Sequence, residues 1–291
     1  MAYGGGSLPL AVAHRGGAGL APENTLAAFE RAAALGFRYL ETDVRLTADG
    51  QLLCFHDATL DRVTGLRGPV RRHTLAQVRA TRVDGHEPVV TLREALAALP
   101  GAAFTVDLKE RAAIAPLADL LQDRDVRDRV CVAGAWDDWL DELRARVPGV
   151  RTALGWRSLT ALVTSAHARM PCARRFATAE FAHVPLRVGR VPVFAERLVV
   201  GAHRIGVRVV VWTVDDPAVM TRLLDAGVDG VITDRPDVLR EVLVARGQWA
   251  PMTIAPSDPP RPATNGAAPG PLGCGSGAGG AVPVRTGSAA P

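Results

Sequence analysis

The chain has few cysteines, few aromatic residues and no long apolar run. No apolar stretch approaches the roughly 18 residues of a membrane-spanning helix, and the longest, 207–214, suits a buried strand. The four cysteines are far apart and form no CxxC pair, which argues against a zinc cage and a disulfide framework. Residues 1–9 lack a basic region followed by an apolar stretch. We therefore predict no secretory signal and a cytoplasmic location.

The charge of the chain is mildly positive and dispersed. The formal net charge is +4, and the arginines are spread along the sequence rather than clustered. A nucleic-acid groove would need a basic face with aromatic residues for stacking, and aromatics make up only 5% of the chain. We therefore expect no nucleic-acid partner. Lys109 is the only lysine among 34 basic residues, which suggests that this position needs a compact ammonium group.

Two regions differ in composition. From about residue 251 the chain is rich in Pro, Gly and Ala, which predicts a disordered tail over 251–291 and one domain over 1–250. Within 1–250, short apolar runs alternate with helical patterns. Nine runs are candidate strands: 10–14, 39–46, 52–56, 104–108, 130–133, 152–154, 182–186, 207–213 and 230–233. Eight segments are candidate helices: 25–35, 91–99, 113–124, 136–146, 157–167, 194–205, 217–226 and 236–245.

This alternation predicts an α/β fold with a parallel sheet, and its length suits a (β/α)8 TIM barrel. A (β/α)8 barrel has eight strands, so one of the nine candidate strands must lie outside the ring. We expect this to be the short, proline-containing run 182–186. A doubly wound open sheet is the alternative. It would usually carry a glycine-rich phosphate loop, and neither GxGxxG nor GxxxxGK[ST] is present.

Polar residues gather at the carboxyl ends of the candidate strands, where barrels form their active sites. Residues i and i+2 of a strand share a face, so Glu41 lies on the same side as Asp43, and Asp107 on the same side as Lys109. Three inward carboxylates would repel one another unless a hard divalent cation, Mg²⁺ or Ca²⁺, lay between them. For either Glu41 or Asp107 alone, an outward side chain paired with a helix arginine is the simpler interpretation. For all three acids together we favour the metal.

Two histidines, His14 and His56, also end neighbouring strands. Imidazole titrates near neutral pH, so such a pair can serve as general base and general acid. Arg15 and Lys109 could hold a phosphate group. Trp212 could pack against the apolar part of a substrate, or equally be a core residue. We interpret the remaining histidines as structural or surface residues: His73, His86, His167, His183 and His203.

Eight segments, in order, resemble the glycerophosphodiester phosphodiesterase family of the PLC-like phosphodiesterase superfamily. They are AHRGG (13–17), APENTLAAF (21–29), ETDVRLTADG (41–50), FHDATLDRVTG (55–65), VVTLREAL (89–96), VDLK (106–109), VVWTVDD (210–216) and GVDGVITDRP (227–236). The resemblance implies a TIM barrel in which His14 and His56 are the acid/base pair. It implies that Arg15 and Lys109 contact the phosphate. The implied metal ligands are Glu41, Asp43 and Asp107.

The chain departs from the family pattern at two of these positions. The family usually has Glu where this chain has Asp107, and the shorter side chain would affect metal affinity and choice more than reaction type. Asp215 replaces the commoner Asn of WTVN, and we expect it to start a helix. Within APENTLAAF, either Asn24 or Thr25 is expected to cap the next helix, and Glu23 to brace the His14 loop. Asp57 is expected to orient its neighbours.

The predicted function is metal-dependent hydrolysis of glycerophosphodiesters to an alcohol and glycerol 3-phosphate, a step of lipid and glycerol metabolism. We hypothesise that the glycerol 2-hydroxyl attacks phosphorus, that a cyclic glycerol phosphate forms, and that the two histidines exchange roles when water opens it. One alternative is a lysophospholipid-cleaving enzyme on the same barrel. The polar, arginine-rich insertion 62–88 favours a soluble headgroup substrate instead. Another is a catalytically weakened phosphodiester-binding protein. The headgroup and the oligomeric state stay open.

Overall fold

The computed structural model describes residues 2–6, 9–188 and 191–252 of the 291-residue chain. Of the predicted tail, only Pro251 and Met252 fall within these residues. In chain order the strands are β1 (Leu10–Ala13), β2 (Tyr39–Leu46), β3 (Leu52–Cys54), β4 (Ala103–Leu108), β5 (Val130–Gly134), β6 (Arg151–Thr152), β7 (Phe181–Pro185), β8 (Arg187–Val188), β9 (Val191–Pro192), β10 (Arg208–Trp212) and β11 (Gly230–Thr233).

Eight of these strands form a nearly closed parallel barrel. The sheet runs β6-β5-β4-β2-β1-β11-β10-β7, and every pair along this path is parallel. The two ends of the path meet where Ala153 bridges Phe181 in parallel and the Leu154 N–H donates to the Phe181 carbonyl at 2.8 Å. The predicted (β/α)8 barrel is therefore confirmed, and the open doubly wound sheet is excluded.

The prediction of which strand lies outside the ring was wrong. The run expected outside forms β7, which pairs with β10 from Phe181 to Pro185. Pro185 does not interrupt the pairing of β7 with β10, because the Leu186 N–H donates to the Trp212 carbonyl at 3.1 Å. The strand outside is β3, which folds back antiparallel onto the end of the eight-residue β2. A long strand followed by a tight turn can extend past the ring and pair locally with the chain that follows it.

Helices cover the outside of the barrel, and all eight predicted helices are present. Their observed bounds are α1 (Leu26–Ala34), α4 (Leu92–Ala98), α5 (Ile114–Leu120), α7 (Asp137–Arg146), α8 (Trp156–His167), α9 (Glu196–Arg204), α10 (Pro217–Asp225) and α11 (Pro236–Ala245). Three short helices were not predicted: α2 (Asp61–Thr64), α3 (Leu75–Arg79) and α6 (Arg124–Asp128). Local sequence explains several helix starts. Thr25 caps α1. Both α10 and α11 begin with a proline.

The amino-terminal end of the barrel is closed by Tyr3. Its hydroxyl lies 2.6 Å from Thr105 Oγ1, and its ring makes edge contacts with Tyr39 and Phe181 inside the barrel. The Tyr3 N–H donates to the Asp128 carbonyl at 2.7 Å, at the end of α6. With this end filled by packed aromatic rings, the interior can open only toward the carboxyl ends of the strands. In the described part of the chain, no helix is long and apolar enough to cross a membrane.

Candidate active site

A cavity of about 270 Å³ opens at the carboxyl ends of the barrel strands. The structure brings all eight predicted site residues into its wall, although they come from distant parts of the sequence. These residues are His14, Arg15, Glu41, Asp43, His56, Asp107, Lys109 and Trp212.

Three of them form a cluster of carboxylates. Glu41 and Asp43 are buried in the middle of β2, and Asp107, the register partner of Asp43, is half-buried near the end of β4. Each offers an oxygen, and the three oxygens lie within 4.8 Å of one another. A hard divalent ion contacts its oxygen ligands at about 2.0–2.6 Å, so a single ion could reach all three.

The charge around this cluster also favours a cation. The Lys109 ammonium lies 2.9 Å from Asp43 Oδ1 and 2.6 Å from Asp107 Oδ2. Although burial opposes ionisation, Lys109 lowers the pKa of Asp43. Among the described residues Glu41 has no ion pair with a lysine or arginine, and its basic neighbour, His14 Nε2, lies 4.0 Å away. Burial together with the Asp43 charge raises the pKa of Glu41 to about 7. A divalent cation next to Glu41 would stabilise its ionised form. The residues present therefore fit a divalent metal.

Asn24, which the sequence left as a possible helix cap, holds the acidic cluster instead. Its side-chain amide donates to Asp43 Oδ2 at 3.0 Å, and its carbonyl oxygen accepts from the Thr42 hydroxyl at 2.7 Å. Thr25 is the residue that caps α1, by accepting from the Ala28 N–H. Buried amide contacts of this kind fix the carboxylate that they touch.

His14 is oriented by a carboxylate from the other end of the chain. Its Nδ1 lies 2.8 Å from Asp234 Oδ1, and its Nε2 lies 4.0 Å from Glu41 Oε2. Burial lowers the pKa of His14, but the contacts with Asp234 and Glu41 outweigh it and raise the pKa overall. With Nδ1–H donated to Asp234, the Nε2 atom is available on the side of the acidic cluster.

Asp215 has a different role from the predicted one. It does not cap α10, because Asp216 does so by accepting from the N–H groups of Ala218 and Val219. Asp215 Oδ1 instead accepts from the Thr233 hydroxyl at 2.9 Å and from the Asp234 N–H at 2.8 Å. It thereby ties the end of β10 to the residue that orients His14.

A chain of ion pairs connects the two histidine loops. His56 Nδ1 lies 2.7 Å from Asp57 Oδ1, as expected for an orienting residue. Arg62 donates to Asp57 at 2.5 Å and to Glu23 at 2.6 Å, and Glu23 also accepts from Arg15 at 3.0 Å. The Arg62 bond is the main cause that lowers the pKa of Asp57 to about 2. The first residue of the polar insertion therefore braces the site, which its sequence did not indicate.

Comparison with known proteins identifies the family of this chain. The model of the glycerophosphoryl diester phosphodiesterase family matches residues 14–238. The chain belongs to this family. A Mycobacterium tuberculosis protein described as a probable glycerophosphodiester phosphodiesterase is 38% identical over 249 residues, which cover 82% of this chain and 92% of that protein. A glycerophosphodiester phosphodiesterase of Caldanaerobacter subterraneus is 30% identical over 79% of this chain and 96% of that protein.

Solved structures of family members share the fold. A glycerophosphodiester phosphodiesterase from Agrobacterium tumefaciens has a TM-score of 0.66 and 25% identity, and the match covers 79% of this chain and 97% of that one. A phosphodiesterase from Oleispira antarctica, solved with its product sn-glycerol-3-phosphate, has a TM-score of 0.67 and 24% identity, over 81% of this chain and 97% of that one. These structural matches confirm the predicted barrel, and the family model and the two relatives confirm the predicted family.

His183, expected to be a structural or surface residue, is half-buried in the structure. It lies on β7 and lines the cavity wall, and its Nε2 atom is buried with no hydrogen-bond partner among the described residues. Burial lowers the pKa of His183 from its ordinary value of 6.5 to about 4. The folded protein therefore keeps this imidazole neutral at pH values where the unfolded chain already binds a proton.

This depressed pKa predicts a loss of stability in mild acid. As the pH falls below 6.5, His183 is protonated in the unfolded state before it is protonated in the folded state. The free energy of unfolding therefore decreases between about pH 6.5 and 4. By pH 5 the loss amounts to about 2 kcal/mol. Urea unfolding at pH 7.5 and at pH 5 gives the decrease in the free energy of unfolding for the wild type and for His183→Gln. We expect this decrease to be smaller in the variant, by about 2 kcal/mol. Equal drops in both proteins would contradict the assignment.

Proposed function

We propose that the chain hydrolyses glycerophosphodiesters to an alcohol and glycerol 3-phosphate, with one divalent cation held by Glu41, Asp43 and Asp107. The observation that carries the proposal is the convergence, in one cavity, of this acidic cluster with His14 and His56. The catalytic unit is proposed to be residues 1–250. The family membership and the relatives named above support the substrate class.

The cationic side chains have a role in binding the diester. A phosphodiester carries a negative charge, and its phosphoryl oxygens gain charge in the transition state. Lys109 lies next to the acidic cluster, and Arg15 is held beside it by Glu23 and Asp43, so both charges border the position of the phosphate. A bound divalent cation supplies Lewis-acid polarisation of a phosphoryl oxygen.

The two histidines transfer the protons. Each has its Nδ1 next to a carboxylate, Asp234 for His14 and Asp57 for His56, which leaves Nε2 to exchange a proton with substrate. One imidazole accepts the proton of the glycerol 2-hydroxyl as its oxygen attacks phosphorus, and the other donates a proton to the departing alcohol. The resulting cyclic glycerol phosphate is opened by water with the two roles reversed.

The test compares glycerophosphocholine with an analogue that lacks the 2-hydroxyl, each incubated with Mg²⁺, with Ca²⁺ or with EDTA. We expect glycerol 3-phosphate from the natural diester, no activity in EDTA, and restoration by one of the two ions. We expect the analogue to be cleaved at least about 100-fold more slowly, because its internal nucleophile is missing. Equal cleavage of both would replace the cyclic route with direct attack by water. No cleavage of any glycerophosphodiester under either ion would overturn the proposed function.

A further inference from the structure

Tryptophan is concentrated at the mouth of the active-site cavity. The chain has five tryptophans, and the cavity wall contains four of them, Trp136, Trp139, Trp156 and Trp212. Three are substantially exposed, by 56% for Trp136, 41% for Trp156 and 36% for Trp212. Large indoles left in contact with water around a concave site indicate a binding surface.

Two adjacent barrel loops carry three of these rings. Trp136 and Trp139 lie where β5 passes into α7, with ring centroids 6.2 Å apart, and Trp156 is the first residue of α8. The backbone N–H of Trp156 donates to the Ala135 carbonyl at 2.8 Å. The Asp137 carboxylate accepts from the Arg157 N–H at 2.9 Å, at the start of α8. The backbones of the two loops that carry the indoles are thus tied together before a ligand arrives.

The cavity wall has two chemically different sides. The middle of β2, the end of β4 and the segments that follow β1, β3 and β4 supply the histidines, the basic residues and the acidic cluster. The loops after β5 and β6 supply indoles and small apolar side chains, and Trp212 ends β10. Among the described residues that line the cavity, the carboxylates are only those of the acidic cluster. A substrate arm that extends toward the tryptophans therefore meets aromatic faces and no carboxylate.

We propose that the tryptophan side of the cavity binds a quaternary ammonium headgroup, such as the choline of a glycerophosphodiester. A cation is attracted to the face of an aromatic ring, most strongly to indole. A trimethylammonium group has no N–H to satisfy, whereas a primary ammonium would lose hydrogen bonds to water and find no acceptor carboxylate on this side. This inference rests on the proposed function, because it assigns the leaving alcohol of that reaction.

The choice of residue argues against an acyl chain as the occupant. A site for an acyl chain needs only apolar area, which leucine and valine provide throughout this chain. Aromatic residues make up 5% of the sequence, yet four of the five tryptophans lie at this one site. Indole is the aromatic side chain that attracts a cation most strongly, and an acyl chain gains nothing from that property.

The first experiment separates positive charge from shape. It compares kcat/KM for glycerophosphocholine with that for its neutral carbon isostere, the glycerophosphodiester of 3,3-dimethylbutanol, and with that for glycerophosphoethanolamine. We expect wild type to prefer the choline diester to the isostere by about 2- to 30-fold. Trp136→Leu and Trp156→Leu should reduce this preference, because leucine keeps apolar area without the aromatic face. Trp249→Leu is the matched control, since this fifth tryptophan packs against Phe37 away from the site.

The second experiment does not depend on turnover. Saturation-transfer NMR would follow binding of free choline and of 3,3-dimethylbutanol to wild type and to the Trp156→Leu protein. Binding of choline that exceeds that of the isostere, and that is lost in the variant, is the expected result. If choline binds in this way but no diester is hydrolysed, the proposed function fails while the headgroup site stands. If diesters are hydrolysed with no preference for choline over its isostere, the headgroup site fails while the function stands. Faster cleavage of lysophosphatidylcholine than of glycerophosphocholine, undiminished in the leucine variants, would also overturn the headgroup site.

Discussion

Replacing His14 with alanine is expected to lower kcat/KM for glycerophosphocholine by about 10²- to 10⁴-fold, the range typical for loss of a general acid or base. The imidazole is held by Asp234 through Nδ1 and leaves Nε2 toward the acidic cluster. Alanine removes this proton acceptor and donor but no cation-binding carboxylate. Release of glycerol 3-phosphate by the purified variant, at saturating cation, measures the effect. His86→Ala is the matched control, because His86 is an exposed histidine of the insertion.

A double variant sharpens this prediction. If His14 and His56 act as one unit, then removing both should cost little more than removing either alone, because each step already lacks a proton-transfer partner. Fully additive losses would indicate two independent roles. A His14→Ala protein with activity within about tenfold of wild type would remove His14 from the acid/base pair.

Much of the fold could be predicted because its signals are local. The eight helices carry periodic apolar faces and recognisable starts, and most of the barrel strands are short apolar runs. The order in the ring depends on pairing between distant segments, which no local pattern encodes. The run 182–186 contains a proline and was therefore expected outside, yet its ladder with β10 continues through Leu186. The strand outside the ring is β3, because β2 is long and its last residues pair with β3 beyond the ring.

The candidate site divides in the same way. Residues on the strands could be found, because two-residue periodicity places Glu41 with Asp43 on one face. Asp57, which follows His56 in sequence, was also expected to orient its neighbour, but the partners that lie far apart in sequence could not be found. Asp234 lies 220 positions from His14 in sequence, and Glu23 meets Arg62 across 39 positions. Such contacts arise only when the barrel brings the strand ends together, so composition and spacing give no sign of them.

The tryptophan side of the cavity shows the same limit. From the sequence, Trp212 was equally compatible with a core position, and nothing in the sequence indicated that Trp136 and Trp156 line the same cavity. Only the parallel order of β5 and β6 places the loops that carry Trp136 and Trp156 side by side. The sequence motifs on the strands predict the reaction. The proposed headgroup site, by contrast, depends on loops that only the fold brings together.

Replacing Asp43 with asparagine is expected to abolish activity and to weaken binding of Mg²⁺ or Ca²⁺ by at least about 100-fold, because a neutral amide loses the charge that a hard cation prefers. Asp43 is buried at the centre of the site, between Lys109 and Arg15, and Asn24 fixes its second oxygen. Calorimetric titration of the ion into metal-free protein measures affinity without turnover. Asp119→Asn is the matched control, since Asp119 is an exposed acid on α5.

A second variant separates lost metal binding from lost folding. Removing the Asp43 charge leaves Lys109 and Arg15 with fewer partners, so that variant could unfold for reasons unrelated to the metal. Glu41→Gln avoids this problem, because the Glu41 side chain pairs with neither basic group and accepts instead from the Arg15 N–H at 2.8 Å. Thermal unfolding in EDTA then identifies which variants remain folded. Folded Glu41→Gln protein should bind the ion far more weakly than wild type. If it binds the ion as tightly as wild type and keeps full activity, the acidic cluster is not the metal site.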